Sequence, residues 1–164
     1  IIIGPKDDPA KIKSFKNPYK AFEKIFNTQE YFISRGDNSG TYDKELYIWK
    51  ELNINPKAFS GKWYLETGGS MGATINIAIG LGGYTFTDRS TWINFSNKKD
   101  FIIMVEGHNS LINPYGIMAI TRNKCPNVRE DASNEFINWL LSEKGKVKIL
   151  DFRVEGKKLF YVDK

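Results

Sequence analysis

The stretch Ser34-Arg35-Gly36-Asp37-Asn38-Ser39-Gly40-Thr41, SRGDNSGT, stands between an apolar strand-like run, Tyr31, Phe32 and Ile33, and an amphipathic helix-like run that begins at Tyr42. A strand-to-helix turn holds the free amide N–H groups that open every helix, at the positive end of its dipole. Arg35 adds a permanent charge on a planar fork of donors, and Ser34, Ser39 and Thr41 add hydroxyls that can turn toward an acceptor. All of this donates hydrogen bonds, with Asp37 as the exception, which is the chemistry of an oxyanion seat. A plainer assignment fits the same residues. Ser39 or Thr41 would cap the helix, Gly36 and Gly40 would supply turn geometry, and Arg35 would pair with Asp37 on the surface. The Arg-Gly-Asp triplet inside the turn is too short to carry meaning alone.

Downstream the unit repeats in kind. Trp63, Tyr64 and Leu65 read as a strand, TGGSMGAT (Thr67 to Thr74) as the turn, and Ile75, Ile77, Ala78 and Ile79 as part of a following helix. Thr67 and Ser70 offer hydroxyls, and Gly68, Gly69 and Gly72 would let backbone come close to a ligand; a tight turn with close helix packing would use the same glycines. Their spacing fails the dinucleotide fingerprint, and no lysine follows to make a phosphate loop. Gly83 to Thr87 alternates like a strand, and TDRSTW (Thr87 to Trp92) is a third polar turn. There Arg89 either reaches a ligand or, the assignment we favour, forms a salt bridge with Asp88 or another carboxylate.

Around these turns, Ile1 to Ile3 reads as a buried strand stopped by Gly4 and Pro5. Asn17 and Pro18 predict a capped helix start, with Tyr19, Phe22, Ile25 and Phe26 on its core face. After the first turn, Tyr42, Leu46, Trp49 and Asn53 fall in line with Leu52 alongside, and Asn55-Pro56 ends that helix. Phe101 to Val105 has the continuous apolar pattern of a buried parallel strand. EGHNSLINPYG is then a long loop and Tyr115 to Ile120 a further strand. Asn127 with Glu130 resembles a capping box opening a helix striped by Phe136, Ile137, Leu140 and Leu141, with Gly145 as an interruption before Val147, Ile149 and Leu150. Arg153 to Val162 reads as two short strands turning at Glu155-Gly156. Repeated strand, turn and helix units indicate an α/β sheet with ligands at the carboxyl ends of its strands.

The 164 residues suffice for one domain or the larger part of two lobes. A single cysteine, Cys125, excludes an internal disulfide, and with a single histidine, His108, no soft-ligand metal site is expected. The net charge of +5 is spread along the chain without an arginine-rich tract or a basic helix face, so nucleic acid is not indicated. No paired carboxylates at metal-like spacing, no nucleophile with a base and no complete nucleotide motif are present, so no enzyme is expected. No run approaches a membrane span. The opening IIIGP, apolar and without an initiating methionine, leads us to expect a piece of a longer protein, whose upstream part would carry any export signal.

The order of SRGDNSGT, WYLETGGSMGATINIA, YTFTDRSTW, VEGHNSLINPYGIMAI and FINWLLSEKGKVKILDFRVEGKKLFYV resembles the tungstate-binding proteins of ABC importers, in the type II periplasmic binding protein superfamily, over almost the whole chain. The resemblance implies a three-layer α/β/α lobe with crossover strands. Residues 1–4 would be the first crossover, 5–110 the second lobe, and 111–164 the return crossover (Tyr115 to Ile120) with a C-terminal helix and hairpin belonging to the first lobe. The main body of that first lobe, with its own threonine- and serine-rich turn, precedes Ile1 in the family, so the Phe136 to Leu141 stripe would fold back, pair with a second copy or remain exposed.

By residue, the resemblance carries ligand binding onto Ser34, Arg35, Ser39 and Thr41 and onto Thr67, Ser70 and Met71, with Asp37 and Arg89 as supporting groups. It implies no cofactor and no catalytic residue; the ligand would be tungstate or molybdate, unprotonated dianions that need donors and positive charge but no acceptor. The implied function is an extracytoplasmic solute-binding component, periplasmic or lipid-anchored outside the cell, which closes on the oxyanion and delivers it to a transporter permease. Two alternatives stay open. Phosphate, which keeps a proton part of the time, would profit from Asp37 as acceptor if that side chain faces the ligand. The same scaffold also serves as a ligand-sensing domain of a transcriptional regulator, which would require a DNA-binding module upstream.

Overall fold

The computed structural model describes residues 1–162 and divides into a compact unit Ile1–Ile112 and a second unit that begins at Asn113. In the first unit the chain runs β1 (Ile2–Pro5), α1 (Pro18–Thr28), β2 (Phe32–Ser34), α2 (Gly40–Glu51), β3 (Tyr64–Glu66), α3 (Met71–Leu81), β4 (Tyr84–Phe86), α4 (Arg89–Asn94) and β5 (Phe101–Val105). Asn17 caps α1 by accepting the Tyr19 N–H at 2.9 Å, with Pro18 in the first turn, as the sequence predicts. The strands order as β3-β2-β4-β1-β5. β2 runs parallel to β3 and β4, whereas β1 runs antiparallel to both β4 and β5.

Successive side chains of a strand face opposite sides, and here both sides are covered. Ile2, Phe32, Tyr64 and Met104 pack with Phe22 and Ile25 of α1 and Ile48 and Trp49 of α2. Ile3, Ile33 and Phe101 pack on the other face with Ile75, Ala78 and Ile79 of α3 and Trp92 of α4. This is a three-layer α/β/α arrangement, the layering that the resemblance implies. Trp49 sits with ring centroids 4.5 Å from Phe22 and 5.4 Å from Phe32. Burying a side chain such as Phe22 contributes roughly 1.5–3 kcal/mol.

Phe101–Val105 is an edge strand hydrogen-bonded only to antiparallel β1, rather than an interior parallel strand; its unbroken apolarity reflects helices and side chains over both faces. β1 does not stop before Gly4 and Pro5 but includes them: a Cβ on Gly4 would lie 2.4 Å from the Tyr84 ring, so only glycine lets that ring lie against the strand. The inward row of α2 is Tyr42, Glu45, Ile48 and Trp49, while Leu46 is only half-buried and Asn53 lies beyond the helix end in the left-handed region. α2 ends at Glu51, ahead of Asn55-Pro56, where a short 3-10 turn (Pro56–Phe59) begins.

The second unit contains α5 (Glu130–Leu141), α6 (Glu143–Asp151) and a two-residue hairpin, β6 (Arg153–Val154) with β7 (Lys157–Lys158). Glu155 and Gly156 at its turn both have positive φ, 49° and 73°, the geometry of the turn expected at these two residues. Tyr115 to Ile120 forms no strand. A strand's N–H and C=O groups need a neighbouring strand, none among the described residues pairs with this segment, and Tyr115 and Met118 are 74% and 86% exposed. Asn127 does not cap α5, which starts behind Arg129 without a side-chain cap; the Glu130 carboxylate instead accepts the Arg122 N–H at 2.8 Å. The break falls at Ser142 rather than Gly145. Ser142 caps α6 by accepting the Gly145 N–H at 3.3 Å, and a Cβ on Gly145 would lie 2.3 Å from the Trp139 carbonyl oxygen. Phe136, Trp139 and Leu141 on α5 are exposed. No helix among the described residues is long and apolar enough to cross a membrane.

Candidate functional site

Parallel pairing of β2 with β3 brings Ser34 beside Glu66, so the two strands end side by side and their following turns meet. The turns are laced together: the Thr67 N–H donates to the Ser34 carbonyl at 3.0 Å and the Thr67 hydroxyl to the Arg35 carbonyl at 3.3 Å. Gly36 adopts φ +60°, and a Cβ there would lie 2.7 Å from Glu66 Cβ, so two demands select glycine.

In the first turn Ser39 is the N-cap of α2, its Oγ accepting the Tyr42 N–H at 3.2 Å. Its hydroxyl donates to Asp37 Oδ1 at 2.6 Å, and the other Asp37 oxygen pairs with Arg35. The Ser39 hydroxyl first, and then the Arg35 charge, hold the Asp37 carboxyl below its ordinary range. Asp37 therefore braces Arg35 and the cap. Arg35 Nε is buried and has no hydrogen-bond partner among the described residues. Thr41 is half-buried in the first turn of α2.

In the second turn Ser70 caps α3 by accepting the Ala73 N–H at 3.3 Å. The Thr67 and Thr74 hydroxyls share a 2.8 Å hydrogen bond, and Thr67 Oγ1 accepts the Gly69 N–H at 3.3 Å. Met71 is buried against the α3 side of the sheet, so its first-turn position delivers backbone rather than side chain to the surface. Helix geometry leaves the first N–H groups of α2 and α3 without intrahelical acceptors, and two such ends with an arginine make a concentrated donor surface.

The third turn behaves differently. Asp88 caps α4, accepting the Thr91 N–H at 2.7 Å, with the Ser90 and Thr91 hydroxyls also donating to it. Burial opposes the charge, but these hydrogen bonds prevail and keep its carboxyl below the ordinary range. Arg89 pairs with Glu106 at the end of β5, the salt bridge to another carboxylate that the sequence suggests.

Beneath the first turn lies a group that sequence reasoning passed over. Glu45 is 1% exposed; its carboxylate accepts from the Ser34 hydroxyl at 2.8 Å, the Tyr64 hydroxyl at 2.7 Å and the Trp49 indole N–H at 3.3 Å. Ser34 is itself fully buried, and its Oγ accepts the Gly36 N–H at 3.2 Å. Helical spacing held the clue, since Glu45 lies three residues after Tyr42 and four before Trp49 on one face. His108 accepts the Ser110 N–H at 3.1 Å, capping a short 3-10 turn (Asn109–Leu111), and Cys125 is exposed in the other unit.

A model of the PBP superfamily domain matches residues 1–144. The tungstate-binding protein TupA of Campylobacter jejuni is 39% identical over 99% of this chain and 61% of its own length. Among solved structures, the tungstate-binding protein TupA from Desulfovibrio alaskensis matches with TM-score 0.80 and 38% identity over 98% of this chain and 65% of that one. The tungstate ABC transporter structure from Geobacter sulfurreducens matches with TM-score 0.81 and 40% identity over 93% and 63%. The chain spans between 48% and 61% of the length of the curated relatives it matches. With two adjoining donor turns on a three-layer sheet and a family model covering most of its residues, this chain belongs to the periplasmic binding protein superfamily.

Proposed function

We propose that this chain is the oxyanion-binding part of an extracytoplasmic solute-binding protein, which takes tungstate, with molybdate as its near equal in charge, and delivers it to the permease of an ABC importer. The observation that carries this reading is the meeting of the Ser34–Thr41 and Thr67–Met71 turns around Arg35, whose Nε is buried without a partner among the described residues. Arg35 supplies the charge, Thr41 and Ser70 supply hydroxyl donors beside the first N–H groups of α2 and α3, and Ser39 and Thr67, whose own donors are engaged within the turns, hold the seat in shape together with Ser34 and Met71. The engaged Asp37, its carboxyl held below the ordinary range, favours a fully ionised tetrahedral anion over phosphate, since its oxygens already accept from Ser39 and Arg35. On this reading residues 1–4 are a crossover strand and 5–110 one lobe of a clamp, while 111–164 return to the other lobe, offering it the exposed Phe136, Trp139 and Leu141. No step of the proposed cycle makes or breaks a covalent bond; closure around the anion is the working event.

The test is calorimetric titration of the natural full-length protein with tungstate, molybdate, sulfate and phosphate. Tight binding of the first two and weak or absent binding of phosphate is expected, with sulfate, an unprotonated dianion of smaller size, measuring how far the seat also selects by size. Absence of heat with every oxyanion overturns the reading and returns the turns to structural punctuation.

A further inference from the structure

Glu45 is a carboxyl sealed among uncharged donors, with no cation in hydrogen-bonding contact, and it touches the residue that immediately precedes Arg35. Its neighbours come from three elements: Ser34 on β2, Trp49 on its own helix α2, and Tyr64 on β3. Two charged groups act on it from beyond these contacts: Glu66 at the end of β3, which raises its affinity for a proton, and Lys57 of the Pro56–Phe59 turn, which interacts with Tyr42. A carboxylate so placed can hold or release one proton, and which it does decides how the Ser34 contact is made.

When Glu45 is ionised, Ser34 must donate its hydroxyl hydrogen to Oε2 across the 2.8 Å contact. When Oε2 carries a proton, the same contact reverses: the carboxyl donates and Ser34 Oγ accepts. The Tyr64 hydroxyl and Trp49 N–H continue to donate to Oε1 in either state. The proton comes from solvent, and no bond between heavy atoms changes. An oxyanion on the turn above adds negative charge beside this buried carboxyl, which favours the neutral form.

We propose that Glu45 is a positioning residue of the anion seat whose protonation is coupled to ligand binding, so that seating an oxyanion on the Ser34–Thr41 turn draws a proton onto Glu45. This rests on the oxyanion-binding reading above. Burial pushes the Glu45 carboxyl up, and the hydrogen bonds from Tyr64, Ser34 and Trp49 only partly pull it back, leaving it at about 7, where a modest further push moves its charge at neutral pH. The sign follows by linkage. A ligand that raises the carboxyl's proton affinity is itself bound more tightly when the proton is present, so affinity falls as pH rises through and above 7, by at most about tenfold per pH unit for one linked proton.

The experiment is tungstate titration of the natural full-length protein at pH 7 and 8 in three buffers of different ionisation enthalpy, which reads protons taken up per tungstate bound. Uptake approaching about half a proton at pH 7 is expected for the unmodified protein, the limit for a group half protonated beforehand. Glu45→Gln, a neutral mimic of the protonated carboxyl, is expected to lose the uptake and to flatten the pH dependence. His108→Gln, which removes the one histidine, is expected to keep both. A protonated-carboxyl band gained in infrared difference spectra of the unmodified protein on adding tungstate checks the same point without relying on a variant that folds. Tungstate binding with no proton uptake overturns the inference while leaving the oxyanion reading intact, and so does uptake unchanged in a folded Glu45→Gln protein. No tungstate binding by the unmodified protein overturns both.

Discussion

The turns after β2 and β4 are built from the same residue types, an arginine, an aspartate and hydroxyls, but they dispose of them differently. In the first, Ser39 takes the capping position, so Asp37 falls outside the helix and is available to brace Arg35. In the second, Asp88 is itself the cap, absorbs the hydroxyls of Ser90 and Thr91, and leaves Arg89 to pair with Glu106. The order of residues relative to the helix start, rather than their composition, decides whether the aspartate of such a turn caps the helix or braces the neighbouring arginine. The first turn also has a partner, because the Thr67 turn is bonded to it, whereas the Asp88 turn is tied to the end of β5.

This contrast makes its strongest prediction at Arg35. Arg35→Ala should weaken tungstate binding by about 2–5 kcal/mol, roughly 30-fold to several thousand-fold, because it removes the cation that a desolvated dianion would meet. The measurement is the titration already described, and a loss no larger than that of Arg89→Ala would erase the difference between the two turns. A smaller effect is expected at Asp88, and on stability rather than binding. Asp88→Ala removes a helix cap and should lower unfolding free energy by about 0.5–2 kcal/mol in urea melts at pH 7. The Asp88 carboxyl is more acidic when folded, so its contribution is present above its ordinary range near 4 and lost as pH falls through the depressed folded value. The variant should therefore lose less stability on acidification than the unmodified protein, and equal losses would mean that Asp88 is no better held than an exposed carboxylate. The smallest effect is expected at Arg89. Both partners of the Arg89–Glu106 pair are about two-fifths exposed, 39% and 41%, so Arg89→Ala should cost about 0.2–1 kcal/mol and leave tungstate affinity nearly unchanged. A tenfold loss of affinity would move Arg89 into the site and end the contrast.

Much of this arrangement was legible beforehand, for reasons that can be named. Asn17 and Ser39 act as caps because a short polar side chain before a helix can reach N–H groups two or three residues on, which is a purely local fit. The hairpin turn at Glu155-Gly156 is local in the same way. Glu45 was not legible as a core residue, since a carboxylate is seldom buried and its three donors come from positions 4, 11 and 19 residues away. Tyr115 to Ile120 has strand-like composition, but composition cannot supply the neighbour that a strand requires.

What the sequence determined by itself is thus the set of local units: strands and helices from the period of their apolar residues, their caps, and turns rich in donors. Tertiary structure alone decided that the Ser34 and Thr67 turns adjoin across 32 residues of chain, that β1 runs against its neighbours, that Arg89 meets Glu106, and that a carboxyl lies sealed beneath the candidate site. Local geometry acts over a few residues and is written in their spacing. Pairing between distant segments depends on which edges and faces remain open once the whole sheet has assembled.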